Sequence, residues 1–559
     1  MVLTEGSMRT IAVDVCGEGH TTLPVGVTVD EVLTHCTDNK NKTPVIAAFV
    51  NNEVRPLSYR LFINTTIRPI HLDTSEGQRV YRRSVCYALA IAAYKVLPNT
   101  RLLIGHSLGN AYFYSFDGRD TDERSIESLR EGLTHIVERD LPIHRGVTSY
   151  TDALEHFTNR NMNGAALLVE RHNYGEVPVY RCDDFMDLSH GPLAPRTGML
   201  DTWSIEKYQN GFLLVFPTQD DHTSVTPGQR STTLFQIYQE YKDWGRVLGI
   251  SSVGQLNILT EKSTVKDFIR VNETLHEKKI GKIADQVKAA GETEKVVLIA
   301  GPSSSGKTTF TKKLSVHLQA IGLKPIMISL DDYFVPRERT PRDADGNYNF
   351  ETVHAIDIDL LNRHLVAIFN GEEVEIPFFN FKSGQPEYRG RIIKLPPKGV
   401  LLMEGIHGLN DELTPDIPDN RKFKIYVSAL TQLNLDDHNR ISTTDNRLIR
   451  RMVRDHQFRG HSAQSTLDMW PSVRRGEDKN IFPFQDSADA TFNTALDYEL
   501  GVLRNYAEPL LRHVKPHHTV YHEAIRLQTF LMNFSVIPEK MVPSESILRE
   551  FIGDSGFHY

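Results

Sequence analysis

The stretch "EKVVLIAGPSSSGKTTFTKKLSVHLQAIG", residues 294–322, limits what this chain can fold into more than any other. An apolar β run leads into GPSSSGKT at 301–308, and an amphipathic helical pattern follows, closed by Gly322. This is GxxxxGK[ST] in strand–loop–helix context, expected by chance roughly 0.02 times per chain before the context is counted. It predicts a doubly wound parallel sheet with a ligand at the strand C-terminal ends. The loop Gly301, Pro302, Ser303, Ser304, Ser305, Gly306, Lys307, Thr308 and Thr309 would cradle phosphate oxygens at a helix N-terminus. Lys307 reaches the outer phosphates, and the Thr308 hydroxyl is placed for magnesium.

Such a loop serves kinases and NTPases alike, and the following segments discriminate between them. "LKPIMISLDDYF" reads as a second buried strand ending in Asp331 and Asp332, and "GVLLMEGIHGL" as a third ending in Glu404. Acids at strand C-terminal ends can hold magnesium or take a proton from an attacking hydroxyl. Arginines at 447, 450, 451, 454 and 459 lie on one helical segment, where Arg451 and Arg454 share a face suited to clamping a phosphoryl group.

With "GPSSSGKTTF", "SLDDYF", "YNFETVHAID", "IPFFNFKSG", "LLMEGIHGL" and "DNRLIRRMVRDHQFRG" in order, residues 293–500 resemble the uridine kinase and phosphoribulokinase family of P-loop kinases. The resemblance implies ATP and Mg2+ as cofactors and transfer of the γ-phosphate to a small-molecule hydroxyl, a nucleoside 5′-hydroxyl above all. It implies Asp331 as the base, Lys307, Arg451, Arg454 and Arg459 around the phosphoryl group, and Glu404 with Thr308 at the metal. It places Tyr333, Glu351 and Phe379 at the acceptor, Glu351 on ribose hydroxyls. The chain departs where pyrimidine nucleoside kinases read the base through a tyrosine and a histidine. Phe379 and Gly384 stand there, so two hydrogen-bonding groups are missing and the acceptor is open.

The remaining chain reads as separate units, giving a multidomain α/β and α+β protein. Residues 8–73 form a small β-grasp-like unit, with strands "RTIAVDV" and "TTLPVG", a capped helix "TVDEVLTHC" and strands turning at Asn51 and Asn52. Its order resembles the TGS domain of threonyl-tRNA synthetases. Residues 76–245 include "YRRSVCYALAIAAYKVLPNTRLLIGHSLGNAYFYSFD" and "VPVYRCDDFMDLSHGPLAPRTG", which resemble the editing domain of threonyl- and alanyl-tRNA synthetases. That family's metal ligands are replaced by Arg83, Tyr87, Ser189 and Leu193, so zinc-dependent deacylation is excluded. His106, His172 and His190 lie nearby and read as structural. The resemblance makes RNA or tRNA contact through residues 1–245 a candidate partnership, and a regulatory protein using the loop as a nucleotide switch is the alternative to the kinase.

The same region contains GHSLG at 105–109, a GxSxG match to a hydrolase elbow. The aromatic and small residues after it alternate as a strand, where the elbow requires a helix, so Ser107 is read as part of a strand pair, with Gly105 and Gly109 shaping turns. Residues 246–292 read as a helical connector that Gly281 divides, 293–515 as the kinase domain, and 516–559 as an extension packed on it through a helix, a β-capable run and a capped helix at "SESILREFIG". A net charge of −8 argues against a chain-wide nucleic-acid or membrane surface. Four cysteines without CxxC spacing, and no long apolar segment, point to a reducing, cytoplasmic setting.

Overall fold

The computed structural model describes residues 9–558 apart from 17–18, 37–42, 99, 172–174, 227–229, 263, 292–294, 343–345 and 347. His172 therefore lies outside the described residues. The first unit is a five-stranded sheet in the order His20–Pro24, Thr10–Val15, Thr65–His71, Val45–Val50, Glu53–Pro56. The outer hairpin turns through Asn51 and Asn52 at φ +51° and +60°, a left-handed pair that asparagine tolerates. Thr28 and Glu31 cap the helix Val29–Cys36 reciprocally, the Thr28 N–H donating to Glu31 Oε2 at 2.7 Å.

The long helix Ser75–Val96 then shares one core with two antiparallel sheets. Its run of small and apolar residues, Val85 to Ala93, is almost wholly buried, as a helix enclosed on most sides requires. GHSLG sits on the strand Leu102–Leu108, paired with Ala111–Phe116, and Gly109 makes the turn at φ +59°. Gly105 makes no turn. It lies inside the strand at a register irregularity, where a Cβ would stand 2.5 Å from the Tyr238 hydroxyl, so close packing accounts for the glycine.

Among its described residues the connector holds two helices, Val253–Glu261 and Val265–Ala289, and the division falls before Val265, since the second helix runs unbroken through Gly281. Packing overrides the local cost of the glycine, because the helix is pinned along its length by Phe268, Ile269, Ile280, Ile283 and Val287 in the largest core. On this helix Val271 is exposed, while Glu273 and His276 are buried.

The phosphate-loop strand Lys295–Ala300 is central in a five-stranded, all-parallel sheet ordered Lys324–Ser329, Gly399–Glu404, Lys295–Ala300, Lys422–Ser428, Ala490–Asn493. Alternate residues serve two cores: Val297 and Ile299 face one, Val296 and Leu298 the other. Lys324–Ser329 differs from expectation. It is the sheet's edge, with Met327 39% exposed, because only one neighbour covers it, and Asp331 lies in the turn beyond the strand. The C-terminal run after the helix Tyr521–Leu531 forms no strand; Ile537, Ile547, Leu548, Phe551 and Ile552 enter the main core individually, and "SESILREFIG" supplies one helical turn, Arg549–Ile552. Among the described residues, no helix is long and apolar enough to cross a membrane.

Candidate active site

The loop's shape follows from its residues. A Cβ at Gly301 would lie 2.0 Å from the Val427 carbonyl, so only glycine lets the loop leave the strand there. Ser304 at φ +58° and Gly306 at φ +83° curl the backbone into the helix Lys307–Ala320. The Phe310 N–H closes the helix ladder onto Gly306 O at 3.0 Å, which leaves the N–H groups of Lys307, Thr308 and Thr309 outside the ladder. Lys307 is enclosed and donates to Pro302 O at 3.2 Å; burial lowers its pKa, with Glu404, Glu550 and Asp331 opposing that shift.

Two carboxylates near the loop are strongly perturbed. Glu404, at the end of its strand, accepts from the Thr308 hydroxyl at 3.3 Å, and burial pushes its pKa up to about 7 against the pull of Lys307. Glu351 is also pushed up to about 7, by burial first and Glu477 second, while Arg451 and Lys307 act against this. Asp331 is solvent-exposed; desolvation by the surrounding protein raises its pKa while Lys307, Arg459 and Arg454 lower it. The oxygen donors at Thr308 and Glu404 suit a hard divalent cation, whose charge would restore the Glu404 carboxylate.

The arginine helix, Thr443–Arg459, divides its cations by depth. Arg451, Arg454 and Arg459 converge on Asp455, which is fully buried: Arg454 donates to it through Nε at 2.9 Å, Arg451 stands at 3.3 Å and Arg459 at 3.5 Å. Arg451 also reaches the loop, donating to Ser303 Oγ at 2.8 Å. Arg447 and Arg450 point inward with exposures of 1% and 0%. Arg447 pairs with Glu477 and holds Ser303 O at 3.1 Å; Arg450 pairs with Glu499 and reaches Ser304 O at 3.4 Å.

The sequence of residues 296–500 matches the Phosphoribulokinase / Uridine kinase family. A uridine kinase of Staphylococcus aureus strain JH9 is 32% identical over 196 residues, 35% of this chain and 84% of that protein. The chain belongs to the phosphoribulokinase and uridine kinase family. Its N-terminal part is instead similar to a threonine–tRNA ligase of Desulforamulus reducens, 29% identical over 202 residues; that is 36% of this chain, and it spans only 30% of the ligase's length. A solved structure titled a possible uridine kinase, from Bacillus stearothermophilus, aligns with 39% of this chain and 98% of its own at 19% identity and a TM-score of 0.27.

Within this family member, the residues expected at the acceptor lie unequally. Tyr333 is 1% exposed, with its hydroxyl turned to His364 Nδ1 at 3.1 Å, so the structure places it in the apolar core behind the cleft. Phe379, equally buried, packs edge-on against Phe334 and Phe381 at 5.5 and 5.1 Å. Gly384 sits at φ +72°, and a Cβ there would lie 2.7 Å from Arg337 Nε, so an arginine occupies the space its missing side chain leaves.

The ligase-like cleft is closed. Arg83, Tyr87 and Leu193 line a cavity of only about 20 Å3, into which the kinase loop inserts His438 and Asn439. Ser189 lies beside it and accepts from Arg145 Nε at 3.2 Å. Ser107 Oγ donates to the backbone carbonyls of Gly109 and Ala111, each at 3.5 Å, while His106 stacks on Tyr238 and burial pushes its pKa down to about 3. That is no nucleophile–base pair. Asp455, Glu477, Glu499 and Glu550 had escaped the sequence reading. Asp455 could have been found as the i+4 partner of Arg451; the other three lie far along the chain from the groups they hold.

Proposed function

We propose that this chain transfers the γ-phosphate of ATP, with magnesium, to the hydroxyl of a small molecule, a nucleoside 5′-hydroxyl being the class favoured. The observation that supports it is the mutual reach of Lys307, Asp331, Glu404, Arg454 and Arg459, each electrostatically coupled to others across the loop's mouth. Asp331 takes the acceptor proton as its oxygen bonds the γ-phosphorus and the bond to the bridging oxygen breaks, releasing ADP. Lys307 and the Asp455-held arginines meet the charge spread over the transferring group. Thr308 and Glu404 would hold magnesium, which supplies charge neutralisation at the phosphate oxygens. Glu351, half protonated near neutrality, can accept or donate to acceptor hydroxyls.

The test is ATP-dependent phosphorylation of a panel of nucleosides and small hydroxyl metabolites by the full chain. Lys307→Ala should lower kcat by about 10²–10³ and Asp331→Asn by about 10²–10⁴ with folding intact. Turnover unchanged in both would overturn the reading.

A further inference from the structure

The C-terminal tail reaches the phosphate loop. Glu550 Oε2 accepts from the Thr309 N–H at 3.0 Å and from the Thr309 hydroxyl at 2.7 Å. Thr309 is the third residue of the phosphate-loop helix, and its N–H is one of those the helix ladder leaves over. Glu550 is also within electrostatic reach of Lys307, Lys312 and Glu404.

The carboxylate is held there by packing. On either side of it Ile547, Leu548 and Phe551 are fully buried and Ile552 is 4% exposed, all in the core that contains the helix. Lys313 Nζ donates to Glu545 O at 2.8 Å, and the Arg450 guanidinium lies 4.9 Å from the Phe551 ring centre. The tail backbone is thus fixed against both the loop helix and the arginine helix, while Glu550 itself stays partly exposed.

We propose that Glu550 is an internal anion of the nucleotide site, competing with a nucleotide phosphate for the Thr309 donors, so that the tail sets nucleotide affinity. A phosphate oxygen and a carboxylate oxygen make equivalent demands on an N–H at a helix N-terminus, and both cannot take it. A phosphate chain entering the loop must displace Glu550 to solvent or bear its charge at close range. The inference rests on the reading of GPSSSGKTT as a nucleotide phosphate site.

Titration calorimetry on the full chain tests it, with ATP and with inorganic pyrophosphate, which has neither base nor ribose. Glu550→Gln and Glu550→Ala should each bind both ligands at least about fivefold tighter than the wild type and lower the KM for ATP, leaving that for the acceptor unchanged. Equal or weaker binding in variants that unfold like the wild type would overturn it. In the unaltered protein, ATP should increase amide exchange across 548–553; unchanged or slower exchange would overturn it independently. A wild-type chain that binds neither ligand would instead bring down the proposed function.

Discussion

Glu404 combines a role and a cost in one side chain. An ordinary glutamate has released its proton by pH 6, yet burial holds this one near pKa 7 from a starting value of 4.5. Between those values the folded protein keeps a proton that the unfolded chain has lost. Its contribution to stability therefore falls as pH rises through the window. A cation bound by Thr308 and Glu404 requires the ionised form and reverses that trend. Magnesium should raise the thermal midpoint more at pH 8 than at pH 5.5 in the wild type, and little at either pH in Glu404→Gln. Equal shifts at the two pH values would contradict the assignment. The acid itself was legible in the sequence, since an apolar run ending in Glu marks a strand end, whereas its shift depends on enclosure by Lys307, Asp331 and Glu550, which a linear pattern does not contain.

The arginine helix shows what periodicity can and cannot decide. Its spacing revealed the helix and the shared face of Arg451 and Arg454, because those are local consequences of the 3.6-residue repeat. It could not reveal that Arg447 and Arg450 turn inward, since their carboxylates lie 30 and 49 residues downstream and only the fold unites them. The two sets should fail differently. Arg450→Met strands Glu499 without its partner in a dry interior and should cost about 3–5 kcal/mol, seen as a lower urea midpoint. Arg454→Gln leaves Asp455 with Arg451 and Arg459 and should lower kcat about 10²-fold with the midpoint nearly unchanged. The same limit explains the edge strand Lys324–Ser329: its apolar run is that of a covered strand, and position in the sheet is decided by crossovers far from it.

Across the whole molecule, the ligase-like region and the kinase sheet meet at the loop 434–440, immediately before the arginine helix. The Ile104 N–H donates to Asp437 O at 3.1 Å and Asn434 Nδ2 to Ile104 O at 2.7 Å, so the strand bearing GHSLG is one wall of this seat. The Gly164 N–H donates to Asp437 Oδ2 at 2.9 Å, Asp436 faces His190 at 2.7 Å, and His438 faces Asp187 at 2.8 Å. That Arg83, Tyr87, Ser189 and Leu193 make no zinc site was legible in the sequence; that a segment some 250 residues away fills the space between them was not, because the pairs Asp187–His438 and His190–Asp436 join distant parts of the chain. Asp187, Asp437 and Asp436 together hold the His438 pKa up at about 9, against its burial. A histidine raised in this way stabilises in full below its ordinary value of 6.5, and that contribution is lost as pH climbs towards 9. The thermal midpoint should therefore fall between pH 7 and 9.5 more steeply in the wild type than in His438→Gln. If the seat also fixes the start of the arginine helix, His438→Gln at pH 7 should lower kcat and raise the KM for ATP together, since Arg447, Arg450 and Arg451 of that helix hold Ser303 and Ser304 of the phosphate loop. Parallel pH profiles in the two proteins, measured by calorimetry, would show that the seat carries no charge-dependent hold on the kinase.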